Sequence, residues 1–370
     1  MKFTIEKNVI LEALNNVSKA ISSKNIIPIL NGIKFELNKD GLYLTASDSE
    51  LNIKQLIKYE NIKNVDKEGI IIIQSKYLLD IIRKLPNDLI DFEVIDGLKI
   101  KIYTENSQYS LNCMEPSEYP TIKIEESKDP LIINSNTLKE IIHQTIFAIS
   151  TQELRPLLTG INLKIMADNL ECVATDSYRL AKKNQKVNFK NEVNIILPGK
   201  NIIELEKTLP NDEDVEVHIF SNKVLFKYST IFFQTNLLAG NYPNTNNLIP
   251  TEFKYIVKTN LNSFFSAIDR AALLTQGKDK NIIKMIINDK NMTINSYASE
   301  IGKVEENLEI ECNNKEKLEI SFSSKYMIDA LKTFKDEDIL ILLNSDIKPI
   351  IIKSVNDESL IQLILPIKTY

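Results

Sequence analysis

Few side chains in this sequence could carry covalent or metal chemistry. Two histidines, His143 and His218, and three cysteines, Cys113, Cys172 and Cys312, are scattered over 370 residues. No cysteine stands in a CxxC arrangement, and neither histidine has another His or a Cys at ligand spacing, so no zinc site is expected. The cysteines read as plain reduced thiols. A nucleophile needs a base in reach, and no local setting supplies one. Two acids do recur in matching surroundings, Ala46-Ser47-Asp48 and Ala174-Thr175-Asp176; an acid repeated with its neighbours reads as a turn residue before a catalytic one. The chain has no GxGxxG, no P-loop and no HExxH, and its nine glycines leave little material for phosphate-cradling loops. Neither catalysis nor a cofactor is expected.

Such a chain must act through its surfaces, and the elements presenting them repeat. Segments at fixed offsets match with a period of roughly 124 to 128 residues, about the size of a small domain. Each copy opens with a short strand and then a helix: Phe3-Thr4-Ile5 before Asn8, Leu131-Ile132-Ile133 before Asn136, Tyr255-Ile256-Val257 before Asn260. Asn is a favoured N-cap, so these three asparagines are read as caps. Helical spacing follows, as in Ile10, Leu14 and Val17 or Leu261, Phe265 and Ile268. A second helix recurs about 70 residues into each copy, introduced by Ser75-Lys76-Tyr77, Pro198-Gly199-Lys200 and Ser324-Lys325-Tyr326. Leu85-Pro86 and Leu209-Pro210 stop the first two, since Pro cannot continue a helix. Alternating runs such as Leu98-Lys99-Ile100-Lys101-Ile102 lie between the helices and read as half-buried antiparallel strands. The expected fold is α+β: three tandem domains, 1–127, 128–252 and 253–370, each with two helices packed on antiparallel sheet. Related turns, Tyr119-Pro120 and Tyr242-Pro243, mark the joins. No Gly- or Ser-rich linker separates the copies, so the domains should dock rigidly.

Composition is that of a soluble globular chain, 43% hydrophobic and 26% charged. No apolar run approaches a membrane span and the start lacks a signal-peptide layout, so a cytosolic protein is expected. A net charge of −5 argues against a nucleic-acid partner until its distribution is considered. The six helical windows together carry +8, leaving −13 for the strands and loops. One lysine-bearing helix is usually just a solvated face. Four of six windows at +2 in a triplicated fold suggest instead a single phosphate-attracting surface.

These residues carry a resemblance. Met1-Lys2-Phe3-Thr4, Pro28-Ile29-Leu30, the segment Val173-Ala174-Thr175-Asp176-Ser177-Tyr178-Arg179-Leu180, Gly240-Asn241-Tyr242-Pro243 and the tail Leu365-Pro366-Ile367-Lys368 are similar to bacterial sliding clamps, the beta subunits of DNA polymerase III. The resemblance covers the whole length. It implies the DNA clamp fold, each subunit forming half of a ring, with helices lining the hole and two subunits joined head to tail through edge strands of the first and third domains. Tyr109 and Leu111 would there meet Leu273 and Leu274 of a second copy. By the same resemblance, Lys24, Lys76, Gln152, Arg155 and Lys200 would face duplex DNA without reading sequence, and Lys325 joins them by repeat position. A hydrophobic cleft for short linear peptides is implied at Leu158, Thr175, Ser177, Tyr178, Arg179, Leu180, Pro243, Leu248, Pro349, Ile364, Leu365, Pro366 and Ile367. Its implied partners are the DNA polymerase III alpha subunit, the clamp loader, and other polymerases and repair proteins carrying clamp-binding peptides. Tyr178 and Asn247 depart from the family pattern, standing where many members carry His and some carry Arg. A peptide-binding adaptor of the same fold that does not encircle DNA is the alternative, and an enzyme acting on nucleotides is the remote third reading.

Overall fold

A computed structural model describes every residue except 23, 24, 97, 153, 276–280, 299, 300, 369 and 370. The chain folds as two compact units, residues 1–136 with 204–237, and residues 137–203 with 238–370. The six expected helices are present: α1 Lys7–Val17, α2 Ser75–Lys84, α3 Ser135–Thr145, α4 Gly199–Glu206, α5 Leu261–Ala272 and α6 Ser324–Leu331. None of the described helices is long and apolar enough to cross a membrane.

The first unit is built on a 13-stranded antiparallel sheet. It runs unbroken from the first repeat into the second because Leu51–Lys58 pairs with Ile231–Asn236, Ile53 opposite Phe233 and Asn52 opposite Gln234. Phe3 and Phe92 stack in its core with centroids 5.0 Å apart, against Phe35. The second unit holds a nine-stranded and a four-stranded sheet. There Arg179–Lys186 pairs with Leu360–Ile364, Leu180 opposite Leu363, joining the second repeat to the third. α5 and α6 bury Phe264, Ile268, Met327 and Leu331 against the strands. Phe265, expected in the stripe, is only partly buried, and Phe264 beside it is the residue wholly inside.

The asparagine caps hold in one repeat of three. Asn260 accepts from the Ser263 amide at 3.0 Å, whereas Asn8 and Asn136 are the second residues of their helices. A tertiary contact takes over part of the cap's task. The first helical amide of each repeat donates to a carbonyl just past the second helix: Lys7 to Asp88, Ser135 to Glu213 and Leu261 to Glu337, at 3.1, 2.8 and 2.8 Å. A neighbouring side chain still supplies a further acceptor in two repeats, Asn260 in the third and Asn134, which accepts from the Asn136 amide at 2.9 Å, in the second.

Candidate functional site

The segment 175–179 is a tight loop whose geometry its own side chains dictate. The Asp176 carboxylate accepts from the amides of Tyr178 and Arg179 at 2.9 and 3.0 Å, and Thr175 Oγ1 donates to the Arg179 carbonyl at 2.6 Å. Ser177 sits at φ 79°, a conformation such an Asx turn tolerates. Asp176 is therefore committed to the turn, as its repetition predicted. So is Asp48, which accepts from Glu50 and Leu51 in the equivalent loop, where Ser49 also has φ 79°.

Arg179 leaves this loop for the interior. Its guanidinium donates to Asp176 at 3.0 Å and Asp329 at 2.6 Å, and lies 4.5 Å from the Tyr326 ring centroid and 5.3 Å from that of Phe147. Two carboxylates and two aromatic faces fix the planar cation, as suits arginine. Burial raises the Tyr326 hydroxyl above its ordinary value, keeping it neutral.

Beside this pillar runs a groove of about 820 Å³ lined by Tyr178, Tyr326, Leu365, Pro366 and Ile367, with Lys325 and Lys368 in its walls. The tail that forms it is tied down at two points. The Leu365 amide donates to the Tyr178 carbonyl at 2.9 Å and the Ile367 amide to the Ser321 carbonyl at 2.7 Å. Tyr178 is 62% exposed and Leu365 38% exposed, so a ring and an isobutyl group are presented to solvent.

The sheet behind the tail has two faces, and they divide the expected cleft residues. Leu180 shares an apolar face with Val173, Leu342, Ile351 and Leu363, against which Tyr242, Ile249 and Phe253 pack. The Tyr242 hydroxyl accepts from the Thr175 amide at 3.0 Å, and burial pushes its pKa up to about 12. Pro243 and Leu248 are exposed on the segment that follows, Pro349 leads into the strand bearing Ile351, and Leu158 is buried. Ile364 does not join Leu180. Successive strand residues alternate in direction, so Ile364 belongs to the α5–α6 core and Leu363 is the residue beside Leu180. Leu363, Tyr242 and Tyr326 are thus parts of the site that sequence reading missed. The pairing register would have exposed the first.

The lysines expected to face DNA hold one position in the fold. Lys76, Lys200 and Lys325 are each the second residue of α2, α4 and α6, and all three are exposed. All six helices lack an acid in the first turn. That is the reverse of what the helix dipole favours for stability, and it leaves these ends attractive to anions. Gln152 is exposed after α3, and its amide donates to Ser150 Oγ at 3.1 Å. Arg155 donates to Ser177 Oγ at 2.7 Å, which brings it to the Asp176 loop, just as Lys325 reaches the groove. Lys24 lies outside the described residues.

Tyr109 and Leu111 lie on Gln108–Met114, which pairs fully with Lys99–Tyr103 on one side but with Gly69–Gln74 only at Cys113 and Met114. Its outer edge is open over 108–112. Leu273, 62% exposed, and the half-buried Leu274 follow α5. The strand Gly302–Glu309 is likewise at a sheet edge, and Arg270 holds it to α5 through two bonds to Glu306 at 2.9 and 2.6 Å.

Against known proteins, models of the N-terminal, central and C-terminal domains of the DNA polymerase III beta subunit match residues 1–123, 132–244 and 246–368. The chain belongs to the DNA polymerase III beta-subunit family. The beta sliding clamps of Bacillus subtilis and Staphylococcus aureus are 39% and 37% identical to it, each over all of both chains. A crystal structure of the Bacillus subtilis sliding clamp superimposes with a TM-score of 0.96 at 38% identity, covering both chains in full. A DNA polymerase III beta chain from Streptococcus pneumoniae gives 0.95 at 33%, again with full coverage. The beta-subunit fold of three tandem domains, with six helices on antiparallel sheets, is the one the repeat predicted.

Proposed function

We propose that two copies of this chain close head to tail around duplex DNA and slide along it as a processivity clamp. One observation carries the closure. In the first two repeats the fourth strand of the copy, Leu51–Lys58 and then Arg179–Lys186, is paired to the last strand of the following copy. In the third repeat the equivalent strand, Gly302–Glu309, pairs among the described residues only with Asn291–Ala298. The last strand of the first repeat, Gln108–Met114, is open along 108–112. An edge of each kind is left over, and exposed edges are templates for pairing. Joining them in trans repeats the internal junction, and a heterologous contact closes once its rotation returns to the start. Lys99 and Lys101 beside one edge and Glu305 and Glu309 on the other supply opposite charge. Tyr109, Leu111, Leu273 and Leu274 would form the apolar part of that contact.

The lysines at the starts of α2, α4 and α6, with Lys24 and Gln152, provide phosphate contacts without base readout, which suits a ring that must slide. The groove at Tyr178, Leu365, Pro366 and Ile367, with the Leu180 face beside it, is built to hold large apolar side chains of a linear peptide. Its ligands are peptides of the polymerase alpha subunit, the clamp loader and other polymerases and repair proteins. The role is that of a tether, without catalysis.

Loading onto nicked circular DNA followed by linearisation tests the ring. Protein retained on the circle and released from the linear form supports it. Equal retention on both, or a monomer by native mass measurement at micromolar concentration, refutes it.

A further inference from the structure

We infer that the first repeat junction carries a second peptide site, one that selects a polar anchor. The two junctions are built alike. Each has an Asp-Ser loop with the serine at φ 79°, a Tyr-Pro turn, and a strand of one repeat paired to the last strand of the next. At the second junction the second pair from the loop is Leu180 opposite Leu363. At the first it is Asn52 opposite Gln234.

A cavity of about 410 Å³ opens there, with Ser47, Ser49, Asn52, Lys123, Lys223 and Gln234 among its walls. Gln234 is only 5% exposed, and its Oε1 has no hydrogen-bond partner among the described residues. A buried carbonyl oxygen without a donor is seldom tolerated without a reason. Lys223 is paired with Glu125 at 3.0 Å, so its charge is already answered, whereas Lys123 forms no ion pair among the described residues. The floor thus asks for an N–H and the wall for a carboxylate. An extended segment carrying Gln or Asn next to Asp or Glu meets both demands. A leucine anchor would desolvate Asn52 and Gln234 without return, so the pocket discriminates against what the Leu180 face accepts. The peptide character of the ligand rests on the likeness to the groove proposed above.

Two capped dipeptides, acetyl-Gln-Asp-amide and acetyl-Leu-Phe-amide, titrated into the full chain with ligand-observed NMR, separate the two sites. Saturable binding of the Gln-Asp probe is expected, weakened at least tenfold by Gln234→Leu. Should that variant fail to fold, Lys123→Glu at the cavity wall is expected to weaken the same probe at least fivefold. No saturable binding of Gln-Asp, or equal binding by wild type and the variant, overturns the pocket. Failure of Leu-Phe alone counts against the groove and leaves the pocket standing.

Discussion

The two repeat junctions share a backbone and differ in what they put on it. Leu51–Lys58 meets Ile231–Asn236 as Arg179–Lys186 meets Leu360–Ile364, antiparallel and through matching loops. Yet where one places Asn52 against Gln234, the other places Leu180 against Leu363, and Leu51 stands where Arg179 anchors the second loop. Strand pairing is backbone chemistry and survives such exchanges, provided the inner face of each strand stays apolar. Residues at the junction are therefore free to specialise. One site can become an apolar seat while its twin stays polar, at little cost to the architecture.

Substitutions across the two junctions should break this pairing of opposites unequally. The largest effect is expected at Leu363, which is 3% exposed within the Leu180 cluster. Leu363→Ala should destabilise the second unit by about 3 kcal/mol through lost burial and the cavity left behind, read as a lower urea midpoint by circular dichroism. Arg179→Ala should follow, at about 2 kcal/mol, because Asp176 and Asp329 lose their shared cation in a half-buried setting. It should also release the Asp176 loop, seen as faster amide exchange at Tyr178, whose N–H the carboxylate holds. The smallest change is expected at the polar twin. Gln234→Leu removes a buried oxygen that has no partner among the described residues and should shift stability by no more than about 1 kcal/mol, toward gain. A loss as large as that at Leu363 would mean that the two junctions are not equivalent frames.

Much of this was legible in the residues. The triplication, six helices and turn role of Asp48 and Asp176 follow from spacing that local physics enforces. Helix starts were less legible: Asn8 and Asn136 look like caps, but Asp88 and Glu213 supply the carbonyls from about 80 residues away. The groove was half legible. Tyr178, Leu365, Pro366 and Ile367 line one groove, while Ile364 points into the α5–α6 core and Leu363 lies beside Leu180. A one-residue choice on a strand reverses the face, and only the partner's register settles it. Tyr326 could not be found from sequence, since its meeting with Arg179 depends on how α6 packs.

Those distant carbonyls have a consequence for biosynthesis. Because the first amide of α1 is answered by Asp88, a nascent chain that has exposed only its opening helix cannot complete that turn's bonding. At roughly 5 to 20 residues per second, the missing acceptor emerges several seconds later, and the same wait recurs in each copy. Translation speed through those stretches thus sets how long three amphipathic segments linger before their partners arrive.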